Sequence, residues 1–289
     1  VGASDLHVHV DLEFSRTQFR KALPEWEWLP RAERAGMRAV LLKSHLWPSV
    51  TLGSLLDQLY RGPVHVATSV TLNPTSGGVD PWAVEAAAAM GASAVFMPTW
   101  GSAGDRAQGG FHKRLAESFE TFDPARLSTT SVVDDDGALL PAAHEVLRLA
   151  AERGLMLSTG HVSWQESLAL AREAARIGFD RLVMAHPLSV SVGAPHDVVH
   201  EIVALGAYAE FCWPTVSPGR RSPAEVVSLI RAIGAERTIL TSDYFGGAGP
   251  SPSDLLRMLA GVLLDNGLTV EEIRTAVVTN PAHLLGLPA

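Results

Sequence analysis

The chain has 289 residues, of which 47% are hydrophobic and 19% are charged, so it can bury the core of one large domain. Its formal net charge is −8, and the sequence contains no cluster of lysine and arginine of the kind that a nucleic-acid surface requires. The single cysteine, Cys212, excludes an internal disulfide, and without an 18-residue apolar run we expect no membrane-spanning helix.

Short apolar segments recur along the chain, and most are followed by a segment with helical periodicity. Strands are predicted over residues 4–9, 38–45, 64–72, 93–99, 155–161, 181–186, 207–213 and 237–243. The clearest helices are predicted over residues 81–91, 141–153, 164–177 and 222–233. Alternating strands and helices indicate an α/β protein, and eight such units close into a (β/α)8 TIM-like barrel. The alternative is a doubly wound open sheet, although no glycine-rich phosphate loop follows the first strand.

Two regions depart from this alternation. Residues 100–135 form an extended loop after strand four, and long loops in compact domains are usually functional or mobile. At the mouth of a barrel this segment would act as a lid over a site or form an ordered excursion. Residues 252–287 predict two or three C-terminal helices. Because no linker or repeat interrupts the pattern, we expect a single domain over residues 1–289.

Polar residues are concentrated at the predicted carboxyl ends of the strands. Five histidines and one aspartate occupy these ends: His7 and His9 on strand one, His45 on strand two, His161 on strand five, His186 on strand six and Asp243 on strand eight. Side chains alternate faces along a strand, so His7 and His9 point in the same direction. The carboxyl ends of barrel strands converge on one mouth, where barrel enzymes hold their active sites.

Imidazole and carboxylate groups in this combination are ligands for zinc, manganese, iron or nickel. Water activated by such an ion can attack a substrate, and Asp243 is placed to accept the proton of that water and pass it to the leaving group. The alternative is that each polar residue only forms hydrogen bonds at its strand end. Lys43 shares a face with His45, and its side chain would lie either near the metal or along the barrel wall.

Aromatic residues flank the same mouth. Trp47, Trp100, Trp213 and Tyr244 follow predicted strands directly or within a few residues. Aromatic side chains at the start of such loops can line an apolar substrate pocket, or they can pack between the loops.

The distribution of these residues resembles that of the amidohydrolase superfamily. The resemblance rests on the HxH pair His7 and His9 and on His161, His186 and Asp243, which together span nearly the whole chain. The segment NPAHLLGL at residues 280–287 is similar to an ending common in amidohydrolases and TatD-type hydrolases. The pairing of DLHVH with LKSH at residues 42–45 resembles a narrower amidohydrolase-like branch.

The resemblance implies a metal-dependent hydrolase in a distorted barrel. His7, His9 and Asp243 would bind one divalent ion, with zinc favoured over manganese, iron or nickel. His161 and His186 would bind the same ion or a second one, and Asp243 would also be the general base.

One departure from the superfamily pattern concerns the bridging ligand. Many members with two ions bridge them with a carboxylated lysine or a glutamate on strand four, whereas strand four here reads VFMPTW at residues 95–100. Either the site holds one ion, or the missing ligand is supplied by Lys43, unmodified or carboxylated, or by His45. His45 is equally suited to contact the substrate directly.

We expect hydrolysis of a small-molecule carbonyl compound, namely an amide, cyclic amide, imide or lactone, with Lys43 or a histidine stabilising the oxyanion. The alternatives are phosphoester hydrolysis as in PHP- and TatD-type barrels, and decarboxylation or hydration in the same fold. A barrel that only binds a ligand is a further alternative. The expected partner is a small-molecule substrate, with no nucleic acid and no membrane, in a cytosolic protein that can form a homo-oligomer.

Overall fold

Eight parallel strands follow one another in chain order around a barrel in the computed structural model, which describes residues 2–10, 23–113, 129–245 and 250–288. The strands are β1 (Ser4–His9), β2 (Ala39–Lys43), β3 (His65–Thr71), β4 (Ala94–Phe96), β5 (Met156–Ser158), β6 (Leu182–Met184), β7 (Tyr208–Cys212) and β8 (Thr238–Thr241). A parallel bridge between Val8 and Tyr244 joins β1 to the end of β8. The predicted TIM-like barrel is therefore confirmed, and no open sheet is formed.

Helices separate the strands and cover the outside of the barrel. They are α1 (Glu25–Arg34), α2 (Val50–Leu59), α3 (Pro81–Ala89), α4 (Ala103–Ala107), α5 (Pro141–Arg153), α6 (Trp164–Ile177), α7 (His196–Ala204), α8 (Trp213–Val216), α9 (Pro223–Ile233), α10 (Pro252–Asp265), α11 (Val270–Arg274) and α12 (Asn280–Leu284). The last three are the predicted C-terminal helices. No helix in the described part of the chain is long and apolar enough to cross a membrane.

Buried apolar residues form two layers, as the alternation of side chains along a strand requires. The larger cluster includes Val40 and Leu42 and packs between the strands and the surrounding helices. The smaller cluster includes Leu41 and Phe96 and fills the barrel interior. Lys43 is two residues after Leu41, so the two side chains point to the same face of β2. Lys43, the last residue of β2, therefore points inward at the mouth end.

Strand β1 ends at His9 as predicted, whereas β5, β6 and β8 end earlier than the sequence pattern predicts because of the backbone conformation that follows them. Strand β5 ends at Ser158, and Gly160 then has a φ of +59°. His186 follows β6 with a φ of +22°, and Asp243 follows β8 with a φ of +45°. These left-handed conformations break the strand geometry. His161, His186 and Asp243 therefore lie in the loops that follow their strands.

The extended segment after strand four is described only in part. Residues 103–107 form α4, and residues 129–140 run back along the barrel to α5, with a bridge from Ser102 to Thr130. Residues 114–128 lie outside the described residues, so the expectation of a lid stays a prediction.

Gly160 allows a test of how tightly the loop before His161 is packed. A Cβ atom at Gly160 would lie 2.3 Å from the carbonyl oxygen of Met97, whereas one at Gly178 (φ +73°) would meet nothing within 4 Å. Both substitutions to alanine incur the left-handed backbone cost of about 1–2 kcal/mol. We expect Gly160→Ala to lower the free energy of unfolding by about 1–3 kcal/mol more than Gly178→Ala, because only the first also creates a clash. Urea unfolding of the two variants checks this, and equal losses would contradict it.

Candidate metal centre

Five histidine rings form a closed circle at the carboxyl end of the barrel. In order around the circle they are His7, His9, His45, His161 and His186, and neighbouring ring centroids lie 5.1, 4.6, 5.8, 5.0 and 5.9 Å apart. All five side chains are buried. The structure therefore brings together the five histidines that the sequence pattern selects, and we call them the histidine circle.

Three ligand atoms converge at one side of the histidine circle. His7 Nε2 lies 3.2 Å from His9 Nε2, and Asp243 Oδ1 lies 3.3 Å from the first nitrogen and 3.2 Å from the second. Three ligands at about 2.1 Å from a tetrahedral ion are about 3.4 Å apart, so this ligand triangle fits one metal ion. Among the described residues it is the one group of three side chains that could hold an ion.

A buried glutamate orients the first ligand. His7 Nδ1 lies 2.8 Å from Glu210 Oε1 on β7, and the Thr241 hydroxyl donates to the same oxygen at 2.7 Å. Burial opposes ionisation of Glu210, but its interaction with His7 and the hydrogen bond from Thr241 outweigh it and lower the pKa of the carboxyl to about 2. An ionised carboxylate only accepts, so His7 carries its proton on Nδ1 and presents the Nε2 lone pair to the triangle.

A second carboxylate orients His161 in the same way. His161 Nδ1 lies 2.9 Å from Asp105 Oδ1, and the Asp105 carboxylate also accepts the backbone N–H groups of Phe111 and His112. Burial acts to raise the pKa of Asp105, but the hydrogen bonds from His161 and the backbone bring it below the usual value. The Nε2 atom of His161 is therefore also a lone-pair donor.

The charge states of the remaining candidate ligands also suit a divalent ion. Burial lowers the pKa of His161 and lowers that of His186 to about 3, so both rings are neutral near pH 7. Burial opposes the charge of Asp243, yet His7 and His9 hold the pKa of its carboxyl well below the usual range. Neutral imidazoles around an ionised carboxylate are the states that bind a divalent ion.

Backbone strain marks two residues of the centre. Within the described ranges, His186 and Asp243 are the non-glycine residues with positive φ. Such conformations cost of order 1–3 kcal/mol and persist where the surrounding structure imposes them, most often at functional sites. The Asp243 side chain keeps 18% exposure, so its carboxylate reaches the open side of the mouth.

Lys43 lies inside the centre and not along the barrel wall. Its Nζ atom is 2.9 Å from His7 Nε2 and 5.0 Å from the centroid of the Phe96 ring. A nitrogen with one lone pair cannot accept a hydrogen bond from Lys43 and bind an ion at the same time. Binding of a metal in the ligand triangle therefore requires Nζ to leave His7.

The four aromatic residues predicted to line a pocket have different positions. Trp47 is 58% exposed and lines a cavity of about 270 Å³ together with Trp26 and Ser44. Trp100 is fully buried, and its Nε1–H donates to the carbonyl of His45 at 3.1 Å. Tyr244 is buried with its hydroxyl 3.3 Å from the Leu23 carbonyl, and Trp213 is half-buried at the start of α8. Contact of any of them with a substrate stays a prediction.

Several residues that orient the centre are absent from the sequence-based set. Glu210 had a usable signal, because an acidic residue in the middle of the apolar strand AYAEFCW needs a buried partner. Asp105, Thr99 and Asn73 had none, since their roles arise only when loops from different strands come together.

One family model matches most of the chain. The family model described as "Family of unknown function (DUF6282)" matches residues 2–210. A search of curated proteins gave no significant match.

Solved structures with the same fold belong to the amidohydrolase superfamily. An amidohydrolase from Pseudomonas aeruginosa is 12% identical, with a TM-score of 0.62 over 98% of this chain and 95% of that one. The probable dipeptidase PvdM from Pseudomonas aeruginosa is 12% identical, with a TM-score of 0.63 over 99% and 95%. A putative 2-pyrone-4,6-dicarboxylic acid hydrolase from Pseudomonas putida is 15% identical, with a TM-score of 0.56 over 99% and 97%. The predicted resemblance is thereby confirmed at the level of the fold.

The role of Glu210 can be tested through metal affinity. Glu210→Gln keeps the size of the side chain but removes the charge that makes His7 a stronger ligand. We expect the affinity of the metal-free protein for zinc, measured by calorimetric titration, to fall about 10–100-fold. Glu166→Gln is the matched control. Glu166 lies at the start of α6 and is also buried, but its carboxylate accepts hydrogen bonds from the Ser131 hydroxyl and the Val132 backbone N–H. Equal affinities in the two variants would contradict the assignment.

Proposed function

The chain belongs to the DUF6282 family. From the geometry of its centre we propose that it is a metal-dependent hydrolase. The proposed substrate is a small molecule with a reactive carbonyl group, namely an amide, cyclic amide, imide or lactone. The observation that carries the proposal is the ligand triangle of His7, His9 and Asp243, with its 3.2–3.3 Å edges at the mouth of a barrel. Neighbours with the same fold include a probable dipeptidase and a putative 2-pyrone-4,6-dicarboxylic acid hydrolase, and also a 2,6-dihydroxybenzoate decarboxylase.

The ligand set favours one zinc ion per chain. Two imidazole nitrogens and one carboxylate oxygen suit zinc, and an ion bound there supplies Lewis acidity to water and to the substrate carbonyl. The bridging residue that many two-ion sites of this superfamily carry on strand four is missing, because β4 (Ala94–Phe96) contributes no acidic or basic side chain. We therefore assign His161 and His186 to the same centre as the triangle.

Asp243 is the proton carrier in this proposal. Its carboxylate is ionised, borders the triangle and reaches the open mouth, which are the properties of a general base for water. The proton it accepts is returned to the leaving nitrogen or oxygen when the single bond between that atom and the carbonyl carbon breaks. Lys43, buried beside His7, is the cation available to stabilise negative charge on the carbonyl oxygen.

Phosphoester hydrolysis has weaker support. Phosphoesterase sites of this fold use more carboxylates, whereas Glu210 and Asp105 are both occupied by histidine hydrogen bonds here. Asp243 is therefore the carboxylate left for chemistry among the described residues of the mouth.

The general-base role predicts a large effect of Asp243→Asn. Purified protein saturated with zinc is assayed against panels of lactones, amides and phosphoesters. For the carbonyl substrate that is turned over, we expect kcat to fall about 10²–10⁴-fold, because the amide cannot accept the proton. Asp57→Asn on the exposed face of α2 is the control and should keep wild-type kcat. Near wild-type turnover by Asp243→Asn at full zinc occupancy would contradict the assignment of Asp243 as the general base.

The single ligand triangle predicts one zinc ion per protein chain. Elemental analysis of protein dialysed after zinc loading should give one ion per chain, and His7→Ala should lose it. His144→Ala is the control, since His144 is exposed and bonds Glu173 outside the centre. Two tightly bound ions in the wild type would show that His161 and His186 form a separate site.

A further inference from the structure

His45 differs from two other members of the histidine circle in the chemistry of its Nδ1 partner. The Nδ1 atoms of His7 and His161 face carboxylates, whereas His45 Nδ1 lies 2.7 Å from the hydroxyl oxygen of Thr99. A carboxylate only accepts, but a hydroxyl both donates and accepts. The position of the His45 proton therefore depends on where the hydroxyl of Thr99 sends its own hydrogen.

Asn73 fixes one role of that hydroxyl. The Oδ1 atom of Asn73 accepts the backbone N–H groups of Thr99 at 2.8 Å and Gly101 at 3.1 Å, which determines which end of the amide is oxygen. Nδ2 at the opposite end must donate, and it lies 2.7 Å from Thr99 Oγ1 and 2.8 Å from the His45 carbonyl. The Thr99 oxygen is therefore already an acceptor for Asn73.

The hydrogen of Thr99 then has one acceptor. Thr99 is fully buried, and its hydroxyl contacts Asn73 Nδ2 and His45 Nδ1. If Nδ1 carried a proton, the hydroxyl would accept twice and bury its own hydrogen without a partner, which costs about 1–3 kcal/mol. If Nδ1 carries none, Thr99 donates to it and all of these groups are satisfied. The ring proton of His45 is thereby assigned to Nε2.

The same contacts hold the ring of His45 in the wall of the mouth. Nε2 is across the ring from Nδ1, on the side that faces away from Thr99. The ring centroid lies 4.6 Å from that of His9, and the ring stacks on Phe111 at 4.5 Å and 25°. With its carbonyl bonded by Asn73 and Trp100, the residue has a fixed backbone and a fixed ring plane.

We infer that His45 presents Nε2–H to the mouth as a fixed hydrogen-bond donor to the carbonyl oxygen of the substrate, and that it is not a metal ligand. The substrate half of this inference rests on the proposed function, whereas the tautomer does not. Thr99 and Asn73 are positioning residues that act through His45. A fixed donor of this kind stabilises the negative charge that develops on a carbonyl oxygen during attack by water. His45 keeps its proton throughout.

The tautomer can be measured directly in the full chain. Protein labelled with ¹⁵N in its 11 histidines is studied by two-bond ¹H–¹⁵N correlation, and the His45 signals are identified by their loss in His45→Asn. We expect the pattern of an imidazole protonated at Nε2, both in metal-free protein and after zinc chloride is added. An Nδ1–H pattern, or loss of the Nε2 proton when zinc binds, would overturn the inference.

Two threonine variants separate the hydrogen-bond role from packing. Thr99→Val keeps the shape of the side chain but removes the donor to Nδ1, so the His45 signals should shift towards the Nδ1–H form or a mixture. Thr71→Val is the matched control, because Thr71 is also buried and its hydroxyl has no hydrogen-bond partner among the described residues. An unchanged His45 pattern in Thr99→Val would overturn the assignment of Thr99.

Two variants of His45 test the donor in catalysis. The amide nitrogen of glutamine can replace Nε2, whereas that of asparagine lies near the position of Nδ1. We expect His45→Asn to lower kcat about 10²-fold or more with one zinc still bound, and His45→Gln to recover at least tenfold of that loss. Loss of zinc from His45→Asn would overturn the inference. If no carbonyl substrate is hydrolysed by the wild type, the proposed function fails, and the tautomer measurement still decides the state of His45.

Discussion

The arrangement of the mouth depends on one constraint, namely that the Nδ1 partners of His7, His45 and His161 fix the place of the proton on each of these buried imidazoles. Neighbouring rings of the histidine circle lie 4.6–5.9 Å apart, so several charged rings would repel one another. Burial keeps His45, His161 and His186 neutral by lowering their pKa values. A neutral imidazole donates at one nitrogen and accepts at the other, so the partner at Nδ1 determines what Nε2 offers to the mouth. The carboxylate partners of His7 and His161 leave a lone pair on Nε2, and the Thr99 hydroxyl, which already accepts from Asn73, leaves a proton on Nε2 of His45.

These partners come from different parts of the barrel, so the centre exists only when the barrel is closed. Glu210 lies on β7, and Thr99 and Asp105 follow β4. Asp5 adds a direct link, because its Oδ1 accepts the backbone N–H of His7 at 3.2 Å and that of Ser242 at 3.0 Å. One carboxyl group therefore joins the strand that carries two ligands to the loop that carries Asp243. Burial raises the pKa of this carboxyl to about 7, in contrast to that of Glu210.

The sequence pattern predicts the strands and the polar residues at their ends, but it does not predict which residues from different loops contact one another. Alternation of apolar segments with helical patterns predicted eight strands, and polar residues at their ends predicted the histidine circle together with Asp243. Strand ends were misplaced by two or three residues at His161 and His186, because the apolar pattern does not locate the left-handed turns at Gly160 and His186 that follow β5 and β6. The partners Asp105 and Thr99 could not be found, since their roles depend on which loops meet across the mouth.

Lys43 shows how the charge of the centre is balanced. Glu210 and Asp243 are both ionised in a buried mouth, which is costly unless a cation accompanies them. In the structure the lysine provides that charge through its contact with His7 Nε2, the same nitrogen that a metal would use. The lysine contact and a metal contact are mutually exclusive at this atom, so an ion bound in the ligand triangle would take the place of the Lys43 ammonium beside His7.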